Sequence, residues 1–325
     1  MTRLPLRALG SLTVPAIGYG AMEIAGAYAP SDDEVADRAL DAAVDAGCRF
    51  VDTSDSYGAS ERQIGRLLRR RPRDEVQIST KFGLRPPEGE PVHTFRVPWS
   101  ASTFHVNAEP RLVRGYAEAS LRRFGTDWID LYSPHFPDPE VPIEDTVGAV
   151  AELLRAGLVR HIGLSNPTAE HLRRAQTEHP IAAVQVQWSM WHPIEPELLA
   201  RCTETGVGIV AWAPMGRGFL TATLSEVGEH DYRRNVERLT GANLATNNER
   251  FAPVPAIAEG LGITPAQLAL AWLLHRSPAV APIPGSRSPE RIRENAAAAS
   301  VMLDADARAQ IDAALAAFVP VGEIS

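Results

Sequence analysis

The chain has 325 residues, 45% of them apolar, and a formal net charge of −8. That is ample material for a large core without covalent staples, and the negative balance argues against nucleic acid as a partner. Cys48 and Cys202 are too few for a disulfide framework and lack metal-ligand company, so both read as small buried residues. Met1 to Gly10 has no apolar signal core, and no stretch approaches the roughly 18 consecutive apolar residues of a membrane span. A soluble, cytoplasmic chain with no membrane partner is the expectation.

In chain order, Leu6 to Val14 reads as a hairpin turning on Gly10 and Ser11, followed by a strand near Ala16-Ile17-Gly18. Ser31 and Glu34 have the spacing of a helix capping box, and Val35, Ala39, Leu40, Ala43 and Val44 then share one helical face that Gly47 ends. Strand-like runs follow at Phe50-Val51, Val76 to Ile78, Trp128 to Leu131, Ile162 to Leu164, Ala183 to Val186, Gly208 to Ala211 and Ala279 to Ile283. The run Arg69-Arg70-Arg71 with Arg73 trails a helical stretch and reads as a solvated helix end. Thr264, Pro265 and Gln267, then Ser288 and Pro289, are further helix starts.

Strands alternating with helices favour a parallel sheet, and eight of them favour closure. The fold expected is α/β: a (β/α)8 TIM barrel, one domain over residues 1–325, with the N-terminal β-hairpin as a plug across its bottom. Gly83 to Asn107 and Arg217 to Glu249 exceed a minimal barrel. Both follow strand ends, where loops build the active site, so both are candidate substrate or cofactor clamps.

The chemistry stands at the strand ends. Phe50-Val51 leads into Asp52-Thr53-Ser54-Asp55-Ser56-Tyr57, the next strand into Lys81, and the Ile129 strand through Tyr132-Ser133-Pro134 into His135. Each residue alone has an ordinary structural reading; four titratable groups converging on one rim do not, because polar groups there are costly unless used. A phenol is a weak acid with a reference pKa of about 10, and a neighbouring ammonium favours its phenolate. Asp52 would hold Lys81, Lys81 would activate Tyr57, and His135 would bond a substrate oxygen. This set offers a general acid and an oxyanion site, with no nucleophile and no metal.

Asp52 to Tyr57, Lys81 and His135 resemble the catalytic tetrad of the aldo-keto reductase family, and Ala119 to Tyr132 resembles the family's text ahead of the histidine. The resemblance continues to about residue 298 in the same order. It implies NADPH as cofactor and a small-molecule carbonyl compound as substrate, with Tyr57 the proton donor. It implies that Ser165, Asn166 and Gln185 hold the nicotinamide amide and that Trp212 stacks on its ring. The segment Pro214, Met215, Gly216, Arg217, Gly218 and Phe219 then takes the pyrophosphate. Ser286, Arg287, Arg291, Glu294 and Asn295 take the adenosine phosphate end. Trp212 and Trp188 stand where the family commonly has tyrosine, and Gly285 where it often has lysine, leaving Arg287 and Arg291 for the 2′-phosphate. The expected substrate lining is Met22, Tyr28, Trp99, Phe104, Phe136 and Trp191. A keto-sugar or enone reductase of secondary metabolism shares the resemblance, and so does an NADPH-binding sensor or scaffold barrel with slow turnover. A metal-dependent barrel hydrolase would need clustered ligands, which the isolated histidines do not supply.

Overall fold

The computed structural model describes residues 3–28, 30–97, 103–229 and 231–322. The chain opens with the antiparallel pair β1 (Leu6–Leu9) and β2 (Leu12–Pro15), turning where Gly10 takes φ 57°. Next come β3 (Tyr19–Gly20), β4 (Phe50–Asp52) and β5 (Gln77–Phe82), then a second antiparallel pair, β6 (His93–Arg96) and β7 (Thr103–Val106). The rest are β8 (Ile129–Pro134), β9 (Val159–Ser165), β10 (Ala183–Gln187), β11 (Gly208–Trp212) and β12 (Val280–Pro282).

Leaving out the two hairpins, the strands form one parallel sheet in the order β12-β11-β10-β9-β8-β5-β4-β3. It closes on itself, because Gly18 N donates to Pro282 O at 3.0 Å and Gly20 N to Pro284 O at 3.1 Å. That is the expected (β/α)8 barrel. The first strand, Tyr19–Gly20, follows directly on the apolar run Ala16-Ile17-Gly18 rather than coinciding with it.

Alternation along each strand sorts side chains into two layers. Val51, Ile78, Ile162, Val184, Ile209 and Val280 face outward into the core shared with helix residues such as Leu40, Leu67, Val150, Leu172 and Leu273. Phe50, Leu131, Ala183, Val210 and Ala281 face inward and pack on Leu9, Leu12 and Val14 of the hairpin. The hairpin is therefore the plug, and its fit is close: a Cβ on Gly208 would lie 2.3 Å from the Cβ of Leu9. One step further along the strands the inward positions are Asp52, Lys81, Ser133, Gln185 and Trp212. The barrel interior is thus apolar at the plugged end and polar at the other.

Three local expectations change. The helix Asp33–Asp45 is capped by Asp32, whose side chain accepts from Val35 N, rather than by a box of Ser31 and Glu34; two adjacent residues of equal capping ability compete, and Asp32 has the geometry. β5 runs on through Ser79-Thr80-Lys81, whose polarity hides a strand with a polar interior side. The stretch Gly83 to Asn107 holds the β6–β7 hairpin. The other helix starts stand, with a full capping box at Thr264 and Gln267 and a side-chain cap at Ser288. Arg70 and Arg71 pair with Asp37, Asp41 and Asp45, and Arg73 with Asp130. No single helix among the described residues is long and apolar enough to cross a membrane.

Candidate active site

At the open end of the barrel, β4 ends on Asp52 and β5 carries Lys81 beside it, both almost wholly buried. Lys81 Nζ donates to Asp52 Oδ2 at 2.8 Å and to Thr53 O at 2.6 Å. Asp52 Oδ1 also accepts from Ser79 Oγ at 2.8 Å and from Gln185 Nε2 at 2.7 Å. A buried ion pair costs much desolvation unless its remaining hydrogen-bonding capacity is filled, and here it is.

The turn after β4 brings Tyr57 over this pair. Lys81 Nζ stands 5.4 Å from the centre of its ring, and the ring meets that of His135 edge-on at 5.8 Å. Tyr57 is half-exposed while His135 is buried. Burial, and then the charge of Lys81, hold the His135 pKa well below its ordinary value, so its imidazole is neutral. Its Nδ1 lies 3.0 Å from Ser54 Oγ, and its carbonyl accepts from Asn166 Nδ2 at 3.1 Å. The four residues read from the strand ends therefore meet. Among the described residues no group of three or more metal-ligating side chains is found.

Beside this cluster, Asn166 Nδ2 also donates to Ser165 Oγ at 3.1 Å, and Trp212 Nε1 donates to Asn166 Oδ1 at 3.1 Å. Asn166 takes φ 55°, a left-handed conformation that asparagine tolerates. Gln185 belongs to the same ring of polar groups through Asp52. After β11, Gly216, Arg217 and Gly218 all have positive φ, which breaks the 3-10 turn Gly216–Thr221, while the amides of Gly216 and Gly218 donate to Ala213 O and Met215 O at 2.9 and 3.0 Å. Pro214 is buried and Met215 half-buried at the start of this turn.

Past β12, Tyr19 Oη donates to Ser286 O at 2.8 Å, and Ser286 Oγ accepts from Ser288 N at 3.1 Å. Arg287 donates to Pro30 O at 2.8 Å and lies 3.5 Å from Glu23. In the helix Pro289–Ala297, Arg291 is exposed and Asn295 buried, while Glu294 accepts from Thr264 Oγ1 at 2.5 Å. Gly285 is explained by space, since a Cβ there would lie 2.8 Å from Gly20 O.

Of the expected substrate lining, Phe136 stacks on His135 with ring centres 5.4 Å apart. Phe104 and Phe95 of the β6–β7 hairpin each lie 5.1 Å from Phe136, so an aromatic wall overhangs the histidine. Met22 and Tyr28 are half-buried in the loop after β3. Trp99 falls outside the described residues. Trp191 packs elsewhere, against Phe219 at 3.7 Å and Phe318 at 6.3 Å, beneath the turn that carries Gly216. It supports that turn rather than joining the Phe136 wall.

Sequence reasoning passed over Phe95, Ser54 and Arg233. Arg233 lies in the long polar stretch after β11; it sits 4.8 Å over the Tyr28 ring, pairs with Asp231 at 2.6 Å and donates to Arg217 O at 3.0 Å. It thereby ties the loop after β3 to the turn after β11. Only the length of that stretch signalled a role.

Comparison with known proteins agrees with this picture. The model of the aldo/keto reductase family matches residues 16–316. A curated relative from Schizosaccharomyces pombe, described as an NADP(+) aldo-keto reductase, is 39% identical over 312 residues, covering 92% of this chain and 88% of its own length. The solved glycerol dehydrogenase of Gluconobacter oxydans superposes with a TM-score of 0.83 at 25% identity, covering 97% of this chain and 96% of that one. A thermostable aldo-keto reductase solved with the inhibitor epalrestat gives 0.72 at 27% identity, covering 96% and 100%.

Proposed function

The chain belongs to the aldo/keto reductase family, and from that premise we propose that it reduces the carbonyl of an aldehyde or ketone with NADPH, Tyr57 giving the proton. The observation that carries this reading is the buried Lys81–Asp52 pair lying beside Tyr57 and His135 at one rim.

The residues present fit the dinucleotide. Three converging amide and hydroxyl side chains (Ser165, Asn166 and Gln185) suit a carboxamide, and Trp212 offers a half-exposed aromatic face. The glycine-bearing turn from Gly216 to Gly218, with Pro214 and Met215 ahead of it, leaves room for close approach and would lie along the pyrophosphate. Ser286, Arg287, Arg291, Glu294 and Asn295 would take the adenosine end, where the exposed Arg291 suits a 2′-phosphate. When bound, the cofactor supplies the hydride.

What the chain must do is manage charge on the carbonyl oxygen. His135, neutral, donates a hydrogen bond to that oxygen and Tyr57 gives it a proton. The Lys81 ammonium, 5.4 Å from the ring, stabilises the charge left on the phenol, and Asp52 with Ser79 and Gln185 fixes the ammonium in place. The wall of Phe95, Phe104 and Phe136 favours apolar or aromatic carbonyl compounds.

The test is to follow NADPH absorbance against a panel of aldehydes, ketones, enones and keto-sugars. Aromatic aldehydes and ketones should be turned over fastest. A protein that binds NADPH yet oxidises it with no member of the panel would sink the reading and favour a sensor barrel.

A further inference from the structure

The oxygen partner in the mechanism above is a neutral histidine, and a neutral imidazole can donate from only one nitrogen. If the proton sits on Nδ1, the other nitrogen, Nε2, is an acceptor and repels the carbonyl oxygen it should hold. Something must fix the tautomer, and Ser54 Oγ is the side-chain partner at hydrogen-bonding distance from Nδ1, at 3.0 Å in a buried setting.

The hydrogen-bonding capacity of that hydroxyl decides its direction. An alcohol oxygen accepts two hydrogen bonds and donates one. Ser56 fills the accepting side: its backbone N–H donates to Ser54 Oγ at 3.2 Å, and its hydroxyl lies 2.9 Å away with a proton to give. The single Ser54 proton then has four acceptors in reach, Ser56 Oγ at 2.9 Å, Nδ1 at 3.0 Å, Asp55 Oδ1 at 3.2 Å and Lys81 O at 3.5 Å, of which Ser56 Oγ has Ser54 as the partner for its own proton and so stands as donor. Lys81 O is the most distant and already accepts from Asp55 N. The Asp55 carboxyl is pushed up to about 7 by burial and then by the charge of Glu61, so it loses charge and acceptor strength as pH falls below that value, and it lies farther from Ser54 Oγ than Nδ1 does. Nδ1 is the remaining claimant.

We propose that Ser54 is a positioning residue that donates to Nδ1 of His135 and so keeps the proton on Nε2, facing the substrate oxygen. The inference rests on the carbonyl-reductase reading for what Nε2–H does, but the tautomer itself does not depend on it.

Nitrogen-15 NMR of the histidine-labelled protein with NADP(+) bound at pH 6.5 separates the two tautomers directly. Wild type should show His135 with Nε2 protonated and Nδ1 bare. In Ser54→Ala the Nε2–H signal should lose its dominance, kcat should fall roughly tenfold or more, and the NADPH Kd should stay within about twofold. A wild-type His135 protonated on Nδ1 overturns the proposal without any variant. So does a Ser54→Ala protein that keeps the Nε2–H tautomer, or one whose kcat stays within threefold. If wild type reduced no carbonyl compound, the functional reading would fail while the wild-type spectrum still decided the tautomer.

Discussion

Under the proposed mechanism Tyr57 and Lys81 serve one proton transfer, and that makes their variants informative together. Tyr57→Phe keeps the ring that packs edge-on against His135 and removes only the hydroxyl, so fold and cofactor affinity should survive. General acid catalysis contributes about 10² to 10⁴ in rate, and kcat should fall by that order. Lys81→Met should fall comparably, and the double variant should lose little more, because both residues serve the same transfer. A Tyr57→Phe enzyme that keeps over about a tenth of wild-type kcat, with chemistry rate-limiting, would remove Tyr57 from the role. At the far end of the cofactor groove, Arg291 is exposed and suited to a 2′-phosphate. NADPH should therefore bind at least tenfold tighter than NADH, about 1.4 kcal/mol. Arg291→Ala should erase most of that preference in a fluorescence titration, and a preference that persists unchanged would move it to Ser286 and Arg287.

Among elements, the β6–β7 hairpin is tied to the loop after β8 by a buried pair as well as by its aromatic contacts. It carries Phe95 and Phe104 to Phe136, and His93 at its root holds Asp138 in the loop after β8 through Nδ1 at 2.8 and 2.9 Å. Asp138 also accepts from Ala108 N and Glu140 N. Burial opposes charge on His93, but the bond and charge of Asp138, with the charges of Glu140 and Glu109, outweigh it and raise the pKa above 6.5. A raised folded-state pKa means that the stabilisation is fully present below about 6.5 and fades as pH rises through the folded value. The Tm gap between wild type and His93→Gln should then be wider at pH 6 than at pH 9, by roughly 2 °C. An equal gap at both pH values would make the pair a neutral hydrogen bond. The sequence marks this stretch as a long insertion and candidate clamp but not as a hairpin, because its strands are short and its anchor lies 45 residues away. Asp52, Lys81 and His135 were legible because an acid or base at a strand end of a parallel barrel has few other uses. Ser54 was not, since a serine in a turn is ordinary and its partner is 81 residues distant. β5 was cut short for a related reason: a strand lining a polar interior has no apolar alternation to read.

For the molecule as a whole, the two ends of the barrel carry different tasks, and a substitution at one end tests the division. The plug end is centred on apolar packing, with Leu9 fully buried against Phe50, Leu131 and Val210, and edged by hydrogen bonds from Arg7 to Leu274 O and Ser277 O and from Gln77 to Thr13 O. It comes so near β11 that only glycine fits at position 208. Asp52, Gln185 and Trp212 lie two positions further along the same strands that contribute Phe50, Ala183 and Val210, and Trp212 packs against the plug's apolar cluster. Leu9→Ala removes the centre of the plug where strands on all sides limit collapse, so it should cost about 2–5 kcal/mol of stability. The polar layer above depends on backbone register between parallel strands, which a cavity beneath leaves in place. The urea midpoint should therefore fall clearly while the NADPH Kd and kcat at 25 °C stay within about twofold. Loss of cofactor affinity in step with stability would mean instead that the plug sets the geometry of the open end, and that the barrel's two faces are not separable.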